Sequence, residues 1–366
     1  MNKTISLKII VIMMSCVLKM SAQDPHFSIY SGVPIGLNPS YTGNYNGNFR
    51  VSAQYRDQWN SILSSEAITA YRTAVASAEA RTNRGIDEND FVAIGTYFMY
   101  DIAGQSRLTN TNFGISTAYR KALDAYGDHF IAVGAKAAVS QKRINTKDLT
   151  WGTQWDGTRY DGSIQSGENT YLDDNLVFYD ISTGLSWGYN IYGTRNRFSA
   201  GLGLLHINEP KESFYASSNT SSSVTAVVPM KINFNLGIGL QLNERIDIMP
   251  KLLVMKQGKN FETIFGSDIR FLLDPSDEYG NSFYIGGLLR VVGGDKNLSS
   301  SSSFNFESAI LTARYDVNNF EIGAAYDFNI SDLSSASKYQ GGFEIYTNYV
   351  FKVTSNRQRK MFCPKF

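Results

Sequence analysis

The residues that come closest to a catalytic pattern are Gly184-Leu185-Ser186-Trp187-Gly188, which match the G-x-S-x-G spacing of a nucleophile elbow. In that motif the serine lies on a sharp turn between a strand and a helix, so its hydroxyl is exposed to a base. Here the five residues lie inside a segment of alternating polar and apolar residues, which is typical of a continuous strand. The motif therefore does not support a hydrolase.

Metal-binding patterns are also weak. The histidines His26, His129 and His206 are far apart in the sequence, without HExxH or paired-cysteine spacing. The acidic residues near 87–90 and 173–174 miss the ligand order of a calcium loop. A lipid-editing barrel enzyme can assemble Ser, His and Asn from neighbouring strands, and that alternative stays open. Apart from that alternative, we expect no enzyme activity, no cofactor and no metal site.

Composition narrows the class of protein. The 34 Lys+Arg and 33 Asp+Glu leave a formal charge of +1, so no basic surface for nucleic acid is expected. Charged residues make up 18% of the chain and aromatic residues 13%. An apolar content of 43% and a mean hydropathy of −0.22 exclude a polytopic helical membrane protein, which needs several runs of about 20 apolar residues. A large all-β or mixed soluble domain, or a β-barrel, fits these values.

Residues 1–22 have the pattern of a secretory signal peptide. Two lysines precede an apolar stretch from Ile9 to Leu18, and small residues at Ser21 and Ala22 follow it. The stretch is too short to cross a bilayer of roughly 30 Å as a helix, so we expect cleavage after Ala22. A lipid anchor on Cys16 is the alternative, although the preceding residues match a lipoprotein cleavage site poorly.

Beyond residue 46 the chain repeatedly alternates polar and apolar residues with a period of two. The clearest segments are 48–56, 231–242, 261–273 and 320–330. Ten weaker segments are 67–82, 90–101, 107–122, 127–143, 176–190, 196–208, 244–257, 281–293, 303–316 and 342–352. Their total is even, as bacterial outer-membrane barrels require, and the clear segments are long enough to cross a membrane when tilted.

We therefore predict an all-β fold: an antiparallel transmembrane β-barrel of about 14 strands over residues 46–352, with apolar residues facing lipid. A soluble β-sandwich or lipocalin-like barrel, with the apolar face as its core, is the alternative. Aromatic residues at the predicted strand ends fit interfacial girdles. They are Phe49, Tyr97, Tyr100, Phe320, Tyr349 and Phe351.

Charged residues on the polar faces are expected to point into the lumen. Because they carry both signs, we predict paired networks that rigidify a filled barrel rather than an ion-selective channel. These residues are Arg50, Arg56, Lys231, Glu262, Asp268, Arg270, Glu321 and Asp327.

The segment 23–45 lacks strand alternation and contains three prolines, so it cannot pair as a central strand. We predict that it packs in the periplasmic mouth or the lumen and partly plugs the barrel. A flexible leader is the alternative. The expected anchors are Phe27, Tyr30 and Tyr41.

The last 14 residues, 353–366, form a basic tail that we place in the periplasm. Arg357, Arg359 and Lys360 could meet an acidic partner there, or the tail could be a solvated, disordered end. Cys363 is the only thiol that remains after signal removal, so no intrachain disulfide is expected.

Several short segments carry a family resemblance. They read QDPHFS at 23–28, LNPSYTG at 37–43, RVSAQYRDQW at 50–59, HIN at 206–208, PKESF at 210–214, YDFNISDL at 326–333, GGFE at 341–344 and CPKF at 363–366. Together they resemble the PorP/SprF family of type IX secretion system membrane proteins. The resemblance covers essentially the whole mature chain, with least likeness in the long insertions at 144–175 and 211–223.

The resemblance implies an outer-membrane barrel of Bacteroidota that works with the type IX secretion and gliding motility machinery. It further implies a non-catalytic role in exporting or anchoring a secreted surface adhesin through its C-terminal domain. The implied partners are outer-membrane lipid, that adhesin, and periplasmic lipoproteins or peptidoglycan-associated proteins. A passive porin or substrate transporter is the alternative function.

Overall fold

The structure is a computed structural model that describes residues 24–63, 69–84, 86–146, 149–167, 173–214, 226–273, 281–293, 304–332, 334–335 and 337–352. The predicted signal peptide and the tail residues Arg357, Arg359, Lys360 and Cys363 lie outside these residues.

Fourteen antiparallel strands form one closed barrel, in which each strand pairs with its neighbours in sequence and β1 pairs with β14. The strands are β1 (Phe49–Gln58), β2 (Tyr71–Thr82), β3 (Phe91–Ala103), β4 (Leu108–Ala122), β5 (His129–Arg143), β6 (Asn175–Asn190), β7 (Arg197–Leu205), β8 (Lys231–Gln241), β9 (Ile246–Gln257), β10 (Asn260–Leu272), β11 (Ser282–Gly293), β12 (Phe304–Val317), β13 (Phe320–Asn329) and β14 (Gln340–Phe351). The predicted fold class is confirmed.

The described chain also has short helices that are not part of the barrel sheet. They are the α-helices α1 (Pro34–Leu37) and α2 (Asn60–Leu63) and the 3-10 helices Pro39–Tyr41 and Gly152–Gln154. In the described part of the chain, no helix has both the length and the apolar character needed to cross a membrane.

The predicted strands coincide with the observed ones to within a few residues. The prediction for β7 ran to residue 208, but the strand ends at Leu205 because His206 has a φ of 55°, which interrupts an extended ladder. The prediction for β2 began at residue 67, whereas the strand begins at Tyr71. Alternation fixed the faces of each strand more reliably than its ends.

The barrel wall separates an apolar outside from a polar inside. In β4, Phe113 and Ile115 are exposed on the outer surface, whereas Asn112 and Ser116 are buried inside. This arrangement is the reverse of a soluble barrel and matches a wall surrounded by lipid. The soluble alternative is therefore excluded.

Five of the six aromatic residues predicted to form girdles are exposed on the outer surface, and one is not. Phe49 and Phe351 are exposed and their rings lie 5.5 Å apart where β1 and β14 meet. Tyr97, by contrast, is buried inside the barrel, because its position in β3 has the inward phase of the alternation.

The two ends of the barrel differ in the length of their connections. At the end where β1 begins, which we name the turn end, the connections are 83–90, 123–128, 191–196, 242–245, 273–281 and 318–319. At the opposite end, which we name the loop end, they include the long connections 144–174 and 206–230. Barrels of this type have short periplasmic turns and longer outer loops, so the loop end faces outward.

A charge on the outer wall should destabilise the barrel. We expect Ile115→Arg, near the middle of β4, to lower the free energy of unfolding in lipid vesicles by about 2–4 kcal/mol. Tyr192→Arg, at an exposed turn-end position, is the control and should change it by less than about 1 kcal/mol. Equal effects at both positions would contradict the proposed membrane placement.

Candidate functional site

A non-strand segment, residues 24–48, lies inside the barrel; we name it the lumenal segment. It contacts side chains on opposite sides of the wall, from Glu79 in β2 to Gln257 in β9. Its sequence favours tight turns: Pro34 and Pro39 occupy first-turn helical positions, and the Asn38 side chain accepts a hydrogen bond from the Ser40 amide.

At the loop end, a cluster of charged side chains holds the segment at Ser28; we name it the Ser28 clamp. Glu344 accepts hydrogen bonds from the backbone amides of Ser28, at 2.7 Å, and Ile29, at 2.9 Å. The Ser28 hydroxyl donates to Asp327 at 2.7 Å. A buried carboxylate that accepts several hydrogen bonds holds its donors strongly, so the clamp fixes the backbone of the segment at Ser28.

Two arginines neutralise the carboxylates of the clamp. Arg56 bridges Asp327, at 3.0 Å, and Glu344, and Arg290 reaches Asp327 at 3.0 Å and Glu262 at 3.2 Å. These side chains come from β1, β10, β11, β13 and β14, so the cluster joins strands on both sides of the barrel seam. If one member of such a buried network is removed, the charge of its partner stays buried and unpaired, which is costly.

His26 lies beside the clamp, with Nε2 3.4 Å from the Glu262 carboxylate. Burial and the guanidinium groups of Arg290 and Arg56 hold the pKa of His26 well below its usual value. The imidazole is therefore neutral at pH 7 and adds no charge to the cluster.

The first described residue of the segment is held by a second contact, which we name the His206 clasp. His206 Nε2 lies 2.7 Å from the Asp24 carboxylate, and Nδ1 lies 2.8 Å from Asp180 in β6. Burial disfavours the charged imidazole, but the hydrogen bonds to Asp180 and Asp24 prevail and raise the pKa of His206 to about 9. Because both ring nitrogens bind carboxylates, His206 has no free nitrogen to act as a general base.

In the middle of the lumen, glycines in the wall allow the segment to approach closely. A Cβ atom at Gly134 would lie 2.5 Å from the Pro39 backbone, and one at Gly203 would lie 2.7 Å from the Leu37 carbonyl oxygen. The Tyr41 hydroxyl donates to Asn235 at 3.0 Å. The wall is therefore shaped to fit this particular segment.

Near the turn end, Glu79 of β2 holds the last part of the segment. Its carboxylate accepts a hydrogen bond from the Gly43 amide at 2.9 Å and pairs with Arg50 at 2.7 Å. The Tyr45 hydroxyl donates to the Glu79 carbonyl oxygen at 2.8 Å, and the Arg50 guanidinium lies 4.7 Å from the Tyr45 ring centre. The lumenal segment is thus bound along its full length.

Comparison with family models identifies the family of the chain. The family model of the type IX secretion system membrane protein PorP/SprF matches residues 19–349. The chain belongs to the PorP/SprF family. It is an outer-membrane β-barrel.

Solved structures with a similar fold are distant in sequence. The monoaromatic hydrocarbon channel CymD has 9% identity and a TM-score of 0.46, with 90% of this chain and 95% of that chain covered. The toluene transporter TbuX of Ralstonia pickettii has 9% identity and a TM-score of 0.45, covering 87% and 93%. The translocator domain of autotransporter NalP from Neisseria meningitidis has 11% identity and a TM-score of 0.35, covering 87% and 92%. A comparison with curated proteins found no match.

The structure of this PorP/SprF protein brings most of the sequence-predicted lumen residues into pairs. Arg56, Glu262 and Asp327 belong to the clamp. Four others have partners elsewhere in the lumen: Arg50 pairs with Glu79, Asp268 with Lys251 and Arg270 with Asp247, and Glu321 accepts a hydrogen bond from the Tyr346 hydroxyl. The exception is Lys231, whose ammonium group makes no ion pair or hydrogen bond within the described chain.

The proposed anchors also lie inside. Tyr41 is buried and contacts Asn235 of β8. Tyr30 packs in a cluster with Leu253 and Ile264, and Phe27 packs against a cluster that contains Val33.

The lumenal segment is not confined to the periplasmic end of the barrel. Asp24 lies at the loop end and Gly43 near the turn end, so the segment runs through the lumen. The reason is geometric: β1 must start at the turn end, while the only complementary partners of Asp24 and Ser28 lie near the loop end of the described strands. The first described residue therefore points outward.

Sequence reasoning missed several residues that hold the segment. They are Glu79, Asp180, His206, Arg290 and Glu344. Four of them lie on the inward phase of weaker candidate strands, so strict use of the alternation would have found them. His206 gave no such signal, because its role comes from ending β7 beside Asp180.

Removing the main acceptor of the Ser28 clamp should release the segment. We expect Glu344→Ala to lower the free energy of unfolding by about 3–5 kcal/mol, because Arg56 and two backbone amides lose their partner. Protease cleavage within residues 24–48 should rise. Asp268→Ala, which breaks a lumen pair with Lys251 instead, is the control and should leave the segment protected. An uncleaved segment in Glu344→Ala would contradict the clamp.

The His206 clasp should weaken at alkaline pH. Because the pKa of His206 is raised, its contribution is complete below about pH 6.5 and is lost as pH rises through about 9. We expect the wild type to lose about 2–3 kcal/mol relative to His206→Asn between pH 6 and pH 10. Thermal unfolding at both pH values measures this difference. His129→Asn, on the outer surface, should follow the wild-type profile.

Proposed function

We propose that this protein is a non-catalytic anchor of type IX secretion, which binds the C-terminal domain of a secreted adhesin and helps export it or hold it at the cell surface. The observation that carries the proposal is the lumenal segment, which occupies the lumen and is bound at its loop end, its middle and its turn end. A barrel filled by its own chain suits binding better than free diffusion of solutes.

The loop end offers the surface for the adhesin. Trp155 and Tyr160 are exposed in the connection 144–174 and form an antiparallel bridge with each other. This connection also contacts 206–230, since the Asp173 amide donates to the Phe214 carbonyl oxygen at 2.7 Å. Exposed aromatic side chains on a supported loop are suited to act as binding hot spots.

The turn end is the surface we assign to periplasmic lipoproteins or peptidoglycan-associated proteins. Tyr126 and Tyr192 are 66% and 83% exposed there, and their ring centres lie 5.8 Å apart. The basic tail with Arg357, Arg359 and Lys360 follows β14, which ends on this side. An acidic partner that covers both features would link the barrel to the periplasm.

Affinity purification from native outer membranes with mass spectrometry tests the anchor. We expect recovery of a large surface protein through its C-terminal region with the wild type. The double variant Trp155→Ala, Tyr160→Ala should reduce that recovery at least about tenfold, because aromatic hot spots each contribute about 1–2 kcal/mol or more. The control Tyr126→Ala, Tyr192→Ala removes aromatic side chains at the opposite end. Recovery of the barrel alone, even after mild crosslinking, would contradict the anchor.

Conductance in planar bilayers separates an anchor from a porin. We expect the wild type to be silent, because the lumenal segment blocks the passage, and Glu344→Ala to show intermittent openings. Asp268→Ala should stay silent. Large steady openings of the wild type would favour the porin or transporter instead.

A further inference from the structure

The lumen contains a cavity between the lumenal segment and strands β2 to β9, in the half nearer the loop end. Its volume is about 100 Å³, about two thirds of an engineered apolar cavity of about 150 Å³ that binds benzene, so it suits a small group. The lining is mixed: Phe27, Val75, Phe178 and Leu253 form apolar walls, and several charged side chains lie among them.

Two lysines in this lining have no directly bonded acceptor among the described residues. Lys136 and Lys231 are only 6% and 7% exposed, and within the described chain no ion pair or hydrogen bond reaches either ammonium group. The Asp24 and Asp180 carboxylates attract them only from a distance, and Lys136 Nζ lies 4.8 Å from the centre of the Tyr97 ring. A buried ammonium group without an acceptor is costly, so its retention calls for an anion.

The other charges around the cavity are already committed. Lys142 pairs with Glu212 at 2.5 Å, and His206 lies between Asp24 and Asp180. The lining itself carries more cationic side chains than carboxylates, since Lys136, Lys142, Lys231 and His206 face Asp24 and Asp180. An anionic ligand suits such a lining.

We propose that this cavity binds an organic carboxylate with a small apolar body, through Lys136 and Lys231. The carboxylate accepts hydrogen bonds from the two ammonium groups, and the apolar body lies against Phe27, Phe178 and Leu253. This proposal is independent of adhesin binding, since it rests on the cavity and its lysines alone. A free organic acid and the C-terminal carboxylate of a peptide share this chemistry.

Titration calorimetry of the purified, detergent-solubilised protein tests the proposal with matched probes. Phenylacetate and the tripeptide Ala-Leu-Phe represent the two sources of the carboxylate, and phenylacetamide and the amidated tripeptide are their uncharged controls. We expect at least one free acid to bind at least about tenfold more tightly than its amide, because the amide cannot accept charge-assisted hydrogen bonds from the two ammonium groups. The tighter of the two acids identifies the source.

Lysine variants locate the site. Lys136→Met and Lys231→Met should each weaken binding of the free acid about tenfold or more, with no loss of thermal stability, because each removes an unpaired buried charge. Lys256→Met is the control, since it removes an exposed lysine from the outer face of β9 near the same end of the barrel.

Two results would overturn the proposal. One is equal binding, or no binding, of each acid and its amide by the wild type, a comparison that needs no variant. The other is unchanged acid affinity in the double variant Lys136→Met, Lys231→Met. Heat-modifiable migration on gels shows that this variant is folded.

Discussion

The pairing of β1 with β14 is the constraint on which the rest of the structure depends. Ten residue pairs, from Phe49↔Phe351 to Gln58↔Gly342, close the sheet on itself. In a hydrocarbon surrounding, each unpaired backbone group costs several kcal/mol, so an open edge is not tolerated. Closure removes the edges and creates a lumen whose polar side chains must satisfy one another.

The lumenal segment solves part of that problem. Inward-facing carboxylates such as Glu344 and Glu79 accept hydrogen bonds from backbone amides of the segment as well as from arginines. The segment, which cannot join the sheet because of its prolines, in turn obtains partners for its backbone. Wall and segment therefore depend on each other, and glycines such as Gly134 leave the room that this contact requires.

Charge is distributed unevenly along the lumen. Near the seam between β1 and β14, the Ser28 clamp balances arginines with carboxylates in direct contact. On the side of β5 and β8, Lys136 and Lys231 face a cavity without such partners. The first region suits permanent attachment of the segment, whereas the second suits an exchangeable anion. One barrel can thus combine a fixed filling with a binding site.

The sequence by itself determined the wall of this protein. A period of two is a local property of each strand, so the number of strands, their inward faces and residues such as Arg56 and Asp327 could be predicted from alternation. The prolines in residues 23–45 likewise excluded a strand there. Only the tertiary structure decided which residues pair, because Arg56 and Glu344 are 288 positions apart and meet only when the barrel closes. The route of the segment through the lumen, the role of His206 and the position of Lys136 and Lys231 at the cavity depend on the same closure, since contacts across a lumen leave no periodic trace in the chain.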